Sequence, residues 1–276
     1  MKVWISVDME GISGIVDREQ LLPEGRRYQE GREAMMADLE AVLEALRAEP
    51  DVESIVVNDS HDGMLNLWPE RVGERVRLIS GGAKPWSMNQ GVQDADVALY
   101  VGYHARAGTR GAIMDHTYAG EIFSVTLNNQ EVGETGINAA LAGFWGVPVA
   151  LVTGDDKVVA EATELLPHVE GVVVKEGISR RAALTLPRTD VNQRLKDGVC
   201  RALARYRQGV LVPWRLEEPI HLTVTVMTPE MADRAMYCPG AQRVDGRTVT
   251  FEAPNMAEAF RAFYVVMALS SNRPLY

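Results

Sequence analysis

Four short stretches of this chain place metal-ligating side chains where strands or helices begin or end. Asp8 and Glu10 are separated by one residue just past an apolar run. In an extended chain residues i and i+2 share a face, so these two carboxylates sit side by side and repel. A divalent cation is the simplest compensation, although the pair alone reads as two solvated acids at a strand end. His61 stands in Asn58-Asp59-Ser60-His61-Asp62-Gly63, whose composition alone is that of a turn. His104 follows Gly102-Tyr103 at the end of another apolar run and alone reads equally as a structural histidine. Glu134 opens a helix at Gly133-Glu134-Thr135-Gly136, where the helix dipole favours an acid without any metal.

The combination outweighs its parts. The acid pair and both histidines each follow a predicted parallel strand, and parallel strands share one C-terminal edge. In open α/β sheets that edge binds ligands. Mixed imidazole and carboxylate donors suit zinc or a similar first-row metal. Asp8, Glu10, His61, His104 and Glu134 exceed a plain tetrahedral set by one. They suit two ions about 3.5–4 Å apart that share a carboxylate. On the glycine-punctuated loop from Ala105 to Gly120, His116 is a candidate general acid/base or transition-state stabiliser. Alone it reads as a surface histidine beside Asp115. His168 and His221 receive no role.

The elements that must position these residues read as α/β. Strands are predicted at Lys2–Val7, Ser54–Asn58, Val97–Val101, Val147–Val152 and Val172–Val174. Helices are predicted at Gln29–Ala48, with Met35, Leu39, Val42, Leu43 and Leu46 on one face, and at Asp156–Leu166. This alternation predicts a mostly parallel sheet flanked by helices. Ile122–Val132, centred on Asn128-Asn129, reads as a hairpin. Residues 1–186 read as an α/β metal-binding catalytic domain and 187–276 as a smaller α+β unit. That second unit holds a helix at Asp190–Arg207, strands at His221–Val226 and Thr248–Phe251, and a last helix opened by Asn255 and Glu258.

Composition removes several classes. The chain has 276 residues, enough for a core without disulfides. Its net charge of −10 gives no overall reason to seek nucleic acid or an anionic membrane. Cys200 and Cys238 are too few for a secreted framework and read as buried thiols in a reducing compartment. The apolar start is too short for a signal peptide, and no run of about 20 apolar residues spans a membrane. The expected setting is the cytoplasm. Walker loops, Gly-x-Gly-x-x-Gly fingerprints and Gly-x-Ser-x-Gly elbows are all missing.

Ser6-Val-Asp-Met-Glu-Gly-Ile-Ser-Gly14 resembles the signature of the binuclear zinc D-aminopeptidases, peptidase family M55. The likeness continues through Val57–His61, Ile79–Pro85, Gly102–Ala107, Met114–His116, Gly133-Glu134 and Val152–Asp156, roughly the first two-thirds of the chain. The resemblance implies two Zn2+ ions per chain, bridged by Asp8 and completed by Glu10, His61, His104 and Glu134. It implies that His116 is catalytic. It also implies a short-peptide substrate cut from a free N-terminus, D-amino-acid preference, and a homo-oligomeric, ring-shaped decamer. Two other readings use the same donors. One is a binuclear phosphoesterase, with Arg106 and Arg110 as clamps. The other is a non-catalytic, metal-stabilised peptide-binding protein.

Overall fold

The computed structural model describes residues 1–271. The chain runs β1 (Lys2–Val7), α1 (Tyr28–Ala48), β2 (Ser54–Asp59), α2 (Pro69–Val72), β3 (Val76–Ile79) and β4 (Val97–Tyr103). A hairpin of β5 (Ile122–Leu127) and β6 (Gln130–Val132) leads into α3 (Glu134–Phe144), β7 (Val149–Asp155), α4 (Asp156–Leu165), β8 (Glu170–Ser179) and β9 (Ala182–Thr185). The remainder is α5 (Arg188–Arg207), β10 (Ile220–Val226), α6 (Pro229–Ala235), β11 (Gln242–Arg243), β12 (Thr248–Ala253) and α7 (Met256–Ser270).

The first sheet has the order β3-β2-β1-β4-β7-β8-β9, parallel except for the final β8–β9 pair. Its central strands are buried on both faces, which is why they read as unbroken apolar runs. Val3, Ile5 and Val7 pack towards α1 and α5, while Trp4 packs on the opposite face with residues of α3 and α4. The apolar stripe of α1 is buried as its spacing predicts, and it carries one buried acid, Asp38.

The order reverses between β1 and β4. The chain builds β2 and β3 to one side of β1, then returns to place β4 on the other. Val7 pairs with Asp59 of β2 and with Val101 of β4, so β1 and β2 end level and β4 runs on to Tyr103. That reversal opens a crevice at the carboxyl edge, where such sheets bind ligands.

The second sheet is antiparallel, in the order β11-β12-β10-β5-β6. Its hairpin turn carries positive φ at both Asn128 and Asn129, the type I′ geometry that matches strand twist. Helices α3, α6 and α7 cover it through Ile137, Leu141, Ala232, Phe260 and Phe263. The two sheets do not divide the chain at residue 187. Helix α5 lies beyond that point yet packs on the first sheet, and the hairpin lies before it yet joins the second. The reason is that Val191, Leu195, Val199 and Leu203 form an apolar stripe that fits the face shared with α1.

Cys238 is buried as expected, but Cys200 is exposed because it lies on the outer side of α5. Among the described residues no helix is long and apolar enough to cross a membrane.

Candidate metal centre

The loop after β1 is sewn to the end of β4. Asp8 N–H donates to Val101 O and Gly11 N–H to Gly102 O, each at 2.8 Å. A Cβ on Gly102, whose φ is +72°, would lie 2.3 Å from Asp8 O, and one on Gly11 would lie 1.8 Å from Tyr103 O. Only glycine permits this approach, and the approach brings Asp8 to His104. His61 is set from β2. Asp59 accepts from Asn66 N–H at 2.6 Å, Leu67 N–H at 2.8 Å and Asn66 Nδ2 at 2.9 Å, and Asn66 Nδ2 also reaches His61 O at 2.7 Å. Glu134 heads α3, and its Oε1 accepts from Tyr118 N–H at 2.6 Å.

The structure brings all six predicted side chains together. His61 Nδ1 lies 3.2 Å from Asp8 Oδ1 and 3.0 Å from Glu10 Oε2. His104 Nε2 lies 3.4 Å from Asp8 Oδ2 and 3.2 Å from Glu134 Oε1. His116 Nε2 is further out, 3.6 Å from Glu134 Oε1 and 3.9 Å from Glu10 Oε1. Each histidine spends its other ring nitrogen on a backbone carbonyl. His61 Nε2 donates to Leu21 O at 3.1 Å, His104 Nδ1 to Ala105 O at 3.0 Å, and His116 Nδ1 to Met114 O at 2.9 Å. These bonds assign the tautomers and aim three imidazole lone pairs into the acid cluster. Met114 adopts a left-handed φ of 48°, an uncommon backbone state for methionine, where its carbonyl meets His116.

The electrostatics are those of anions awaiting a cation. Burial, then the neighbouring Glu10 carboxylate, pushes Asp8 up to about 7. Burial resists ionisation of Glu10 and Glu134, but His61 and His104 respectively overcome it and hold both below the usual carboxylate range. Burial likewise opposes the charged forms of His61 and His104, yet Glu10 and Glu134 raise both well above the ordinary imidazole value. His116 moves the other way, lowered by burial and by His104. Asp8 Oδ2, Glu10 Oε2 and His104 Nε2 are buried without a hydrogen-bond partner. Three orphaned lone-pair atoms in one cluster fit a bound cation. The donor atoms of Asp8, Glu10 and His104 lie within 4.8 Å of one another, as do those of His104, His116 and Glu134. Mixed imidazole nitrogen and carboxylate oxygen is a donor set that zinc accepts.

The cluster opens into a cleft of about 640 Å³. His116, with a quarter of its side chain exposed, stands at the opening. Arg106 and Arg110, the candidate clamps, do not line it, and Arg106 is paired with Glu131 at 3.1 Å. Arg18 and Arg180 line it instead, as do Tyr264 and Met267 of α7. Nothing in the local sequence around these four marks them, since their positions follow only from tertiary packing. His221 is exposed, 3.9 Å from Glu252, and His168 lies in the turn after α4, so neither joins the site.

Comparison with known proteins identifies the family. The chain is 36% identical to the D-aminopeptidase of Bacillus subtilis strain 168 over 273 residues, 98% of each chain. It superposes on the solved zinc-dependent D-aminopeptidase DppA from Bacillus subtilis, a self-compartmentalizing protease, with a TM-score of 0.95, 34% identity and full coverage of both chains. The family model of the M55 peptidases, described as D-aminopeptidase, matches residues 1–265, and this chain belongs to that family.

Proposed function

We propose that this chain is a zinc-dependent aminopeptidase that removes residues from the free N-terminus of short peptides, with preference for D-amino acids. One observation carries the reading: a buried carboxylate–imidazole cluster with unpartnered lone-pair atoms opens onto a peptide-sized cleft. Asp8, Glu10, His61, His104 and Glu134 would hold two zinc ions. Bound zinc supplies Lewis acidity towards a peptide carbonyl and makes water acidic near neutral pH.

His116 handles the proton. Its longer distances to the carboxylates and its exposure set it apart from the buried donors. With Nδ1–H held by Met114 O, its free lone pair is at Nε2. Nε2 takes a proton from the attacking water and passes it to the departing amine nitrogen. Asp62 and Glu121 line the cleft and give the substrate's ammonium group acidic neighbours, while Arg18 and Arg180 suit its carboxylate.

The test compares hydrolysis of D-Ala-D-Ala and L-Ala-L-Ala with and without a chelator. Chelator-sensitive cleavage of the D peptide alone is the expected result. Preference for the L peptide would overturn the stereochemical part. Cleavage of neither, with turnover of bis-p-nitrophenyl phosphate, would overturn the peptidase reading. We further propose that the chain assembles as a ring-shaped decamer in a cytoplasmic setting. The self-compartmentalizing relative and exposed apolar side chains such as Ile178, Val212 and Tyr237 support an oligomer, and light scattering measures its mass.

A further inference from the structure

Lys175 sits within β8 with no exposed surface. Its ammonium donates to three backbone carbonyls: Glu10 O at 2.5 Å, Ile12 O at 2.8 Å and Ile15 O at 2.5 Å. All three of its donors are therefore committed to one loop, and that loop begins with the acid whose carboxylate faces His61. Burying an ammonium is costly, and a neutral side chain would fill the same space at lower cost. The loop is gripped from its other side as well. Ser13 N–H and Oγ donate to Asp38 of α1 at 2.9 and 2.6 Å, and Arg188 of α5 reaches Ser13 Oγ at 2.6 Å and pairs with Asp38.

We propose that Lys175 is a positioning residue for the metal centre: it casts the Glu10–Ile15 loop so that Glu10 stands ready beside His61 before any ion arrives. This rests on the reading of Glu10 as a zinc-holding residue. Charge and position act in opposite directions here. An ammonium near the site repels an incoming cation, so its charge alone weakens zinc binding. Its three hydrogen bonds fix the donor and strengthen zinc binding. The sign of the change on removing it therefore separates the two roles.

The experiment is K175M, measured by chelator-competition zinc affinity and by melting temperature with and without zinc. Loss of a group that orients a metal-holding residue typically weakens metal binding by about 10–100-fold, and a fall of at least about 10-fold is expected. The rise in melting temperature on adding zinc should shrink accordingly. Zinc affinity equal to or tighter than that of the parent protein would overturn the proposal. So would an equal drop in melting temperature with and without zinc, which is the signature of a purely structural lysine. If K175M does not fold, S13A relaxes the same loop and leaves Lys175 in place. A smaller fall in zinc affinity supports the proposal, and unchanged affinity overturns it. A parent protein that binds no zinc, or an E10A variant that keeps both ions at full affinity, would instead overturn the reading on which this rests.

Discussion

The imidazole rings of His104 and His116 stack nearly parallel, with centroids 4.1 Å apart and planes 10° from one another. The inner ring is buried among carboxylates and the outer one meets the cleft. Burial and the charge of His104 keep His116 below the ordinary imidazole range, so it is neutral with a free Nε2 lone pair at neutral pH. H116A should therefore keep its zinc and lose kcat by about 100-fold or more, the scale of a positioned acid/base. Metal analysis beside steady-state kinetics checks this. Full turnover in the variant would remove His116 from the reaction.

Asp8 faces both sides of the cluster, Oδ1 towards His61 and Oδ2 towards His104. D8A is expected to lose both ions together. Retention of one tightly held zinc per chain would show that the two positions do not share this carboxylate.

Zinc should stabilise the protein more as pH rises from about 5 to 8. In the metal-free protein Asp8 is raised from 3.8 to about 7, so the folded state binds more protons than the unfolded state across that window, and stability falls as pH climbs through it. His61 and His104 are raised above 6.5, so the stability they lend is complete below that value and is lost at higher pH. Zinc replaces these protons. Melting curves with and without zinc at several pH values test the trend, and a zinc increment that shrinks with pH would contradict it.

Removing the carboxylate of Asp59 strands three donors at the base of the His61 loop. Leaving buried donors unsatisfied costs about 1–3 kcal/mol each, partly recovered by relaxation, so D59A should lose about 3 kcal/mol in urea unfolding. A loss below about 1 kcal/mol would mean that the loop is held by other contacts.

Arg180 uses Nε and one terminal nitrogen on Asp115, at 2.9 and 3.0 Å, beside His116. The residue also helps to line the cleft. R180Q should raise KM about 10-fold for dipeptides with a free carboxylate, as expected for loss of one charge-assisted bond. KM for the matching C-terminal amides should stay unchanged. Equal effects on both would assign Arg180 to the fold.

Much of this was legible because the chemistry sits on parallel strands. Their buried faces write continuous apolar runs, and the residue after each run is by geometry at the shared edge. That makes Asp8, His61 and His104 convergent in the sequence alone. Glu134 was visible as a helix start, though its approach to His104 depends on a hairpin that joins a second sheet. Division of the chain at residue 187 failed to anticipate the sheets because α5 and the hairpin exchange sides, and periodicity within one helix says nothing about which sheet it covers. Lys175 was silent for a different reason. A lysine in a strand reads as an edge or solvent position, and only the loop folded over it explains its burial.

Tyr264, Met267 and Ala268 of the last helix, with Ser271 just after it, form part of the cleft wall, while every donor of the metal cluster lies before residue 135. The cleft wall thus includes residues from both ends of the polypeptide, while the reacting centre comes from one. Substitutions near the C-terminus can retune which side chain is accepted without touching the reacting centre. A chimera that takes only its final helix from a relative would transplant that preference while keeping its own hydrolytic machinery.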